Sequence, residues 1–157
     1  MLKLYVSNSC SSCRKVKAFF NDLRIPYKEI NILSGQLTKD DLKDILAKSD
    51  SGTDDLISTR SKIMKEKHID IDSMKLDDLL EFIVENPTVM KRPIIVDDRK
   101  IEVGYDPDEI TAFLPMSMKL ALDRYGGEPD SINLDRMHAY INKFHSQYCQ
   151  VKDCESK

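Results

Sequence analysis

Two short β-type runs flank a helical pattern at the start of the chain, and this arrangement constrains the fold more than any other feature. LKLYVS (2–7) is apolar and of strand length, and YKEINI (27–32) alternates as a second strand would. The sequence therefore predicts a β-α-β unit, which builds a parallel pair of strands. The apolar residues between the two runs recur at helical spacing: Cys13, Val16, Phe19, Phe20 and Leu23.

The segment after the second strand is predicted to be helical. Helical patterns cover 38–48, 54–68 and 75–86, and the first of them opens on Thr38 with Asp41 three residues later, as in a capping box. The composition of the stretch between the first two patterns, SDSGTD, is that of a surface turn.

The end of this helical segment leads into a predicted β-hairpin. MKRPIIVDDRKIEVGYD (90–106) contains an apolar run, a polar turn and a second alternating run, and Asp106 then caps a short helix over 106–114. The order β-α-β, helical insert, β-β-α is that of a thioredoxin-like α/β domain with a central mixed four-stranded sheet. We place this domain at 1–118, with the insert at about 36–90.

A helical extension is predicted over 119–157. RYGGEPDS (124–131) resembles a break between helices, and the last helix carries one apolar stripe. The stripe consists of Leu134, Met137, Ile141, Phe144 and Tyr148.

Charge and composition argue against several classes of function. With 24 Lys and Arg against 27 Asp and Glu, the net charge is −3, so tight independent binding to DNA or to an anionic membrane is not expected. The first apolar run is too short for a signal peptide, and no stretch approaches the roughly 20 apolar residues of a membrane span. We therefore expect a cytoplasmic protein with no membrane partner. In that compartment cysteines favour redox or metal chemistry over structural disulfides.

SNSCSSCRK (7–15) places two cysteines at the junction of the first strand and the first helix. A cysteine at a helix N-terminus has its pKa lowered from about 8.5, because unpaired N–H groups and the helix dipole favour the thiolate. Cys10 occupies that position, and Arg14 and Lys15 add positive charge. Cys13 lies one turn later and could attack any species formed on Cys10, so oxidation would end in a reversible disulfide. The pair is predicted to be a redox switch.

Two other uses of the cysteine pair stay open. The residues could simply pack a helix end, or they could supply half of a zinc site with Cys149 and Cys154. In the tail, His138 and His145 lie at helical spacing with Cys149 and form a second set of metal-ligating types. We expect neither set to hold a metal, and we expect no cofactor.

Four motifs, in register over residues 1 to about 120, resemble the Spx family of bacterial transcriptional regulators, which is related to the glutaredoxin-coupled arsenate reductases. The resemblance implies a redox-sensing regulator that binds the C-terminal domain of the RNA polymerase α subunit and responds to thiol stress through a Cys10–Cys13 disulfide. It implies no enzymatic activity, and we expect contact with promoter DNA only within the polymerase complex. The motifs are CSSCRK (10–15), SGTDDLISTRSK (51–62), RPIIVDD (92–98) and VGYDPDEITAFLP (103–115).

The resemblance also assigns roles to single residues. Gly52 matches the loop glycine of the family's polymerase contact, and Arg60 matches the arginine of its conformational switch. Lys62 belongs with Arg60 to a small basic face, completed by Lys65 and Lys67, that could reach DNA. Arg92 and Pro93 are expected near the disulfide, with Pro93 as the cis-proline of thioredoxin-like folds. Gly52 could also be a turn glycine at positive φ, and Arg60 an ordinary exposed helical residue.

The alternative is an enzyme, either a glutaredoxin-coupled arsenate reductase or a thiol-disulfide oxidoreductase. Cys10, Arg60 and Arg92 match the nucleophile and two oxyanion-holding arginines of the arsenate reductases. The third arginine of those enzymes falls at Tyr105, and Cys13 would compete with glutathione-type chemistry. The cysteine pair also lacks the aromatic-Gly-Pro context of thioredoxin-like reductases, so we favour the regulator.

The C-terminal residues depart from the family pattern. Spx proteins usually end in a short apolar tail that a ClpXP-type protease recognises, whereas this chain runs on to CQVKDCESK (149–157). Control by a protease or its adaptor is therefore an open expectation.

Overall fold

The computed structural model describes residues 1–125 together with Ala139. The chain divides into a compact unit, Met1–Glu109, and a second unit that begins at Ile110. The domain boundary at 118/119 stays a prediction. The apolar stripe of the tail lies outside the described residues, and so do the metal-ligating types His138, His145, Cys149 and Cys154.

A mixed four-stranded sheet forms the centre of the first unit, as predicted. Its strands are β1 (Lys3–Val6), β2 (Lys28–Asn31), β3 (Ile94–Val96) and β4 (Ile101–Val103). Their order across the sheet is β2-β1-β3-β4. β1 runs parallel to β2 and antiparallel to β3, and β3 and β4 form the predicted hairpin. The central strands β1 and β3 therefore anchor the loops attached to their ends.

The helices up to residue 86 occur where the apolar periodicity predicts them, except over 54–68, and the helix predicted over 106–114 also differs. The helix over Met116–Tyr125 was not predicted from periodicity. The helical insert lies between β2 and β3, as expected. No helix within 1–125 is long and apolar enough to cross a membrane. The helices are α1 (Ser11–Asp22), α2 (Lys39–Lys48), α3 (Thr53–Leu56), α4 (Lys62–Lys67), α5 (Leu76–Glu85) and α6 (Met116–Tyr125), and 3₁₀ turns cover Pro87–Val89 and Glu109–Phe113.

The single helix predicted over 54–68 is wrong, because the chain leaves helical geometry between α3 and α4. Ile57 is buried and forms an isolated antiparallel bridge with Met90. Backbone hydrogen bonds fix this bridge, since Ser58 N donates to Val89 O at 2.8 Å and Lys91 N donates to Leu56 O at 2.8 Å. A β-branched residue is favoured in such extended pairing. Helical structure then resumes at α4, so the segment just before it is a loop.

The predicted helix over 106–114 is shorter than expected and of the 3₁₀ type. Asp106 does cap it, because its Oδ1 accepts hydrogen bonds from the backbone N–H groups of Asp108 (2.8 Å) and Glu109 (3.1 Å). A short side chain that accepts from the backbone two and three residues later favours a turn over a long helix.

Both faces of the central strands are buried. Neighbouring side chains of a strand point to opposite faces, and Leu4, Tyr5 and Val6 are all almost fully inaccessible. On the Tyr5 face, the sheet packs against the helical insert in one apolar cluster. α1 buries Cys13, Val16 and Phe20. Because β1 is buried up to Val6, the position of the first residues of the following loop is fixed by the packed sheet.

Candidate functional site

Cys10 is the N-cap of α1, in the short loop after β1. Its backbone is extended (φ −93°, ψ 120°), and its Sγ accepts a hydrogen bond from the backbone N–H of Cys13 at 3.3 Å. Both thiols are free, with Cys10 half-buried and Cys13 only 1% exposed. The cysteines thus lie one helical turn apart, as predicted, and Cys10 is the one that an external reagent can reach.

The environment of Cys13 disfavours its thiolate. Burial, followed by a hydrogen bond with the Cys10 side chain, raises the pKa of the Cys13 thiol to about 12. The backbone of Ser7 and the positive charge of Arg92 oppose this shift without cancelling it. Because the thiolate is the reactive form of cysteine, this shift makes Cys13 less reactive at neutral pH than an ordinary cysteine. The pair therefore combines the accessible sulfur of Cys10 with the buried sulfur of Cys13, which external reagents do not reach.

Arg92 contacts Cys10, and Pro93 follows it in the chain. The Arg92–Pro93 peptide bond is cis. The Cys10 thiol donates a hydrogen bond to the Arg92 carbonyl oxygen, with a sulfur to oxygen distance of 3.9 Å. The residues just before β3 are therefore in contact with the N-cap of α1.

Cys10 lines a cavity of about 590 Å³ whose wall also carries Arg60, Lys91 and Arg92. The structure thus brings together Cys10, Arg60 and Arg92, which are far apart in the sequence. Arg60 lines the cavity from the loop before α4; it is exposed, as the ordinary alternative expected, but it is not helical. Hydroxyl groups of Ser9, Ser58 and Ser61 also line the wall. Sequence reasoning missed Lys91, whose only signal was its position next to Arg92.

Gly52 lies in a loop that is held by hydrogen bonds and has a positive φ of 61°. The single Ser49 hydroxyl proton is shared between Asp55 Oδ2 at 2.6 Å and Gly52 O at 3.1 Å, and Ser51 N donates to the same Asp55 oxygen at 3.1 Å. The bond from Ser49 contributes most to lowering the pKa of Asp55. A Cβ added at Gly52 would meet nothing within 4 Å. The glycine therefore meets a local backbone requirement and also leaves open space above the loop.

The surface beside the Gly52 loop is acidic. A smaller cavity of about 260 Å³ is lined by Asp50, Asp55 and Glu102, together with residues of β4. Burial, followed by the charges of Glu109, Asp106 and Asp55, raises the pKa of Glu102. The first unit therefore presents a cationic cavity at Cys10 and an anionic surface at the Gly52 loop.

The basic residues of α4 are exposed to solvent. Lys62, Lys65 and Lys67 extend from this helix, and Lys62 Nζ lies 3.6 Å from Glu66 Oε1 across one turn. An exposed pair of this kind contributes little to stability. Among residues 1–125, no group of three His, Cys, Asp or Glu side chains could hold a metal ion. The zinc alternative involves cysteines outside this range.

Tyr105 occupies the position where the arsenate reductases were expected to have a third arginine. The Nζ of Lys15 lies 5.7 Å from the centroid of the Tyr105 ring, within the range of a cation–π interaction. A lysine held on a tyrosine face supplies one charge but not the fork of donors of a guanidinium group.

Comparison with known proteins identifies the family. The family model described as "ArsC family" matches residues 5–113. The global transcriptional regulator Spx of Staphylococcus epidermidis is 49% identical over 119 residues, which cover 76% of this chain and 91% of the relative. The corresponding Spx of Listeria innocua is 47% identical over the same shares of both chains.

Solved structures agree with the fold. An arsenate reductase from Vibrio cholerae matches with a TM-score of 0.61 over 72% of this chain and 97% of that one. At 21% identity, this likeness concerns the fold alone. The predicted thioredoxin-like fold and the resemblance to Spx are both confirmed, and the chain belongs to the ArsC family, among its Spx members.

Proposed function

We propose that the protein is a redox-sensing transcriptional regulator of the cytoplasm and not an enzyme. The observation that carries this proposal is the arrangement of the cysteine pair in a chain of the Spx group. Cys10 lies at a cavity wall, and Cys13 is buried one turn behind it. That its relatives are named global transcriptional regulators supports the same function.

The switch is a disulfide between Cys10 and Cys13. With a peroxide, the Cys10 thiolate attacks one oxygen, the O–O bond breaks, and a sulfenic acid forms on Cys10. The Cys13 sulfur then attacks the Cys10 sulfur and displaces the hydroxyl group, which leaves as water, so that two thiols are oxidised and one peroxide is reduced. Burial of Cys13 keeps it from reacting directly with oxidants, which favours this order of events.

The switch is tested by thiol trapping on Cys149→Ser/Cys154→Ser protein. After treatment with diamide, mass spectrometry should show that neither remaining thiol can be alkylated. Two free thiols after oxidation would contradict the switch.

The partner is the C-terminal domain of the RNA polymerase α subunit, and its docking surface is the Gly52 loop. The open space above Gly52 lets a partner backbone approach closely. The carboxylates beside the loop favour a basic partner surface. Promoter DNA is then contacted by Arg60, Lys62 and the α4 lysines only within the polymerase complex, since tethering raises the local concentration of a weak electrostatic contact.

Substitutions at two glycines distinguish loss of the partner contact from an effect of backbone strain. Gly52→Arg should abolish capture of the isolated α-subunit domain, because a long cation then occupies the point of closest approach. Gly35→Arg is the matched control, since Gly35 also has a positive φ (77°) and no atom within 4 Å of an added Cβ. It should bind normally. Wild-type affinity of Gly52→Arg, or an equal loss in Gly35→Arg, would mean that the contact lies elsewhere.

Reversal of the Arg60 charge distinguishes binding to the α domain from the stimulation of transcription that follows it. Arg60→Glu should still bind the α domain but lose oxidant-stimulated transcription in vitro, whereas Arg99→Glu, an exposed arginine in the turn after β3, should behave as the parent protein. If the unsubstituted protein shifts promoter DNA alone at physiological salt, the co-regulator model is incorrect.

A further inference from the structure

The cationic side chains beside Cys10 form no ion pair among the described residues, although the charge of Lys91 acts on the Asp55 carboxylate of the neighbouring acidic cavity. Among the described residues 1–125, none of Arg60, Lys91 and Arg92 forms a salt bridge, and no carboxylate lines the cavity. Three cationic side chains around one space repel each other and are unfavourable unless an anion or solvent compensates them. The wall therefore has the chemistry of an anion site.

The size and the lining of the cavity indicate which anions fit. At about 590 Å³ it falls within the range of small-molecule sites and is larger than an inorganic oxyanion requires. Met90 and Val103 give the wall an apolar part, while Cys10 supplies the nucleophilic sulfur. A ligand that uses the whole wall combines carboxylates, a short aliphatic part and a sulfur that can react with Cys10.

We propose that this cavity selects the disulfide of an anionic low-molecular-weight thiol, such as a small peptide thiol with free carboxylates, as an oxidant of the switch. This inference rests on the proposed Cys10–Cys13 switch and names the reagent that closes it. Arg60, Lys91 and Arg92 hold the carboxylates, and this places the disulfide bond of the reagent against Cys10.

The chemistry is two successive thiol-disulfide exchanges. The Cys10 thiolate attacks one sulfur of the reagent, the reagent's S–S bond breaks, and one thiolate leaves and takes a proton from water. Cys13, after loss of its proton, attacks the Cys10 sulfur of the mixed disulfide and expels the second small thiolate. In total, two protein thiols are oxidised to one disulfide, and one small disulfide is reduced to two thiols.

The test compares reagents of different charge on full-length reduced protein carrying Cys149→Ser and Cys154→Ser. The reagents are oxidised glutathione, which carries carboxylates, cystamine, which carries ammonium groups, and diamide, which is uncharged. Lys91→Gln removes one cation from the cavity, and Lys43→Gln, an exposed lysine of α2, removes one elsewhere. Comparing each reagent with itself across variants cancels its intrinsic reactivity.

We expect Lys91→Gln to slow oxidation by oxidised glutathione by about threefold to tenfold, because the cavity then concentrates anions less well. Oxidation by diamide should be unchanged, oxidation by cystamine should not slow, and Lys43→Gln should match the parent protein. With Cys13→Ala, oxidised glutathione should leave a mixed disulfide on Cys10 that intact-mass spectrometry detects. Acid quenching of the intact pair should trap the same species transiently, so the step is testable even if that variant folds poorly.

The outcomes distinguish this inference from the proposed function. If diamide closes the Cys10–Cys13 disulfide but Lys91→Gln changes all three rates equally, or none, the inference is overturned and the switch stands. If no reagent closes the disulfide, the switch and this inference both fail.

Discussion

At the scale of single residues, the two cysteines differ in what their surroundings allow. Cys10 faces a cavity and caps a helix, whereas Cys13 is 1% exposed and its pKa is raised to about 12, chiefly by burial. A buried thiol with a raised pKa is protected from direct oxidation, and its small thiolate fraction reacts with an activated sulfur that lies next to it. In the proposed switch, this difference means that Cys10 reacts first with the oxidant and Cys13 then attacks the Cys10 sulfur.

The closing of the disulfide should depend on pH through Cys13. Burial, the largest cause of the raised Cys13 pKa, remains when Cys10 is in a mixed disulfide, so the thiolate fraction of Cys13 should still grow about tenfold per pH unit over the neutral and mildly alkaline range. Closing of a preformed mixed disulfide on Cys10 should therefore accelerate steadily from about pH 7 to about pH 9. Stopped-flow release of the small thiol measures this step. Arg92→Leu should slow closing further, since the Arg92 charge opposes the rise in pKa. A rate that levels off near pH 7 would contradict this dependence.

At the scale of secondary-structure elements, the N-terminus of α2 joins the helical insert to the strand that leads to the cysteines. Thr38 and Asp41 form a capping box, and Asp41 Oδ1 also accepts a hydrogen bond from the buried Tyr5 hydroxyl at 2.9 Å. Burial alone would raise the pKa of Asp41, but hydrogen bonds from Thr38 and Tyr5 outweigh it, so the pKa lies below its ordinary value. One carboxylate thus fixes α2 against β1.

Loss of this carboxylate should destabilise the fold. Asp41→Ala removes the capping box and leaves the Tyr5 hydroxyl without a partner, which together cost about 2 to 3 kcal/mol. Urea unfolding measures the change. Tyr5→Phe added to Asp41→Ala should recover part of the loss, because the buried hydroxyl is removed as well. A loss that is no smaller in the double variant would argue against the contact.

The same carboxylate gives a pH dependence with a definite sign. Its pKa in the folded state lies below its unfolded value of about 3.8, so its contribution to stability is complete above that pH and is lost as the pH falls through the folded pKa. The difference in unfolding free energy between the parent protein and Asp41→Ala should therefore shrink in acid. A difference that is constant from neutral pH to about pH 2 would contradict this assignment.

At the scale of the whole molecule, positive and negative charges lie on different surfaces, which the net charge does not show. The cavity at Cys10 is cationic and the surface at the Gly52 loop is anionic, although the chain as a whole carries only −3. Such segregation suits a protein that holds a basic partner on one surface and brings cations to DNA or to a small anion with another.

The shared cavity also makes the enzymatic alternative testable. Cys10, Arg60 and Arg92 line one space, as an arsenate reductase would need, but Tyr105 replaces the third arginine and provides no guanidinium fork. We expect no coupled turnover of arsenate with glutaredoxin and glutathione. A rate of about 1 per second or faster, which is typical of enzymes, would favour the reductase instead. Cys10→Ser provides the background rate.

The sequence by itself predicted the β-α-β opening, the hairpin, the helical insert and the place of the cysteine pair. These features arise from local rules, because apolar periodicity and capping residues act between neighbours in the chain. The four motifs were likewise sufficient to identify the Spx group. Of the two helix predictions that failed, the one over 106–114 missed a local effect of Asp106, and the other concerns an element whose geometry depends on a distant partner. The continuous helix over 54–68 is broken because Ile57 pairs with Met90, a residue from the other end of the insert.

Only the tertiary structure decided the chemistry of the candidate site. The cationic cavity needs Arg60 from the loop before α4, Lys91 and Arg92 from the segment before β3, and Cys10 from the N-cap of α1. The high pKa of Cys13 likewise comes from burial, which is a property of the packed molecule and not of the C-x-x-C motif. Charge and desolvation act through space, so their effects on a residue are set by whichever segments the fold brings next to it.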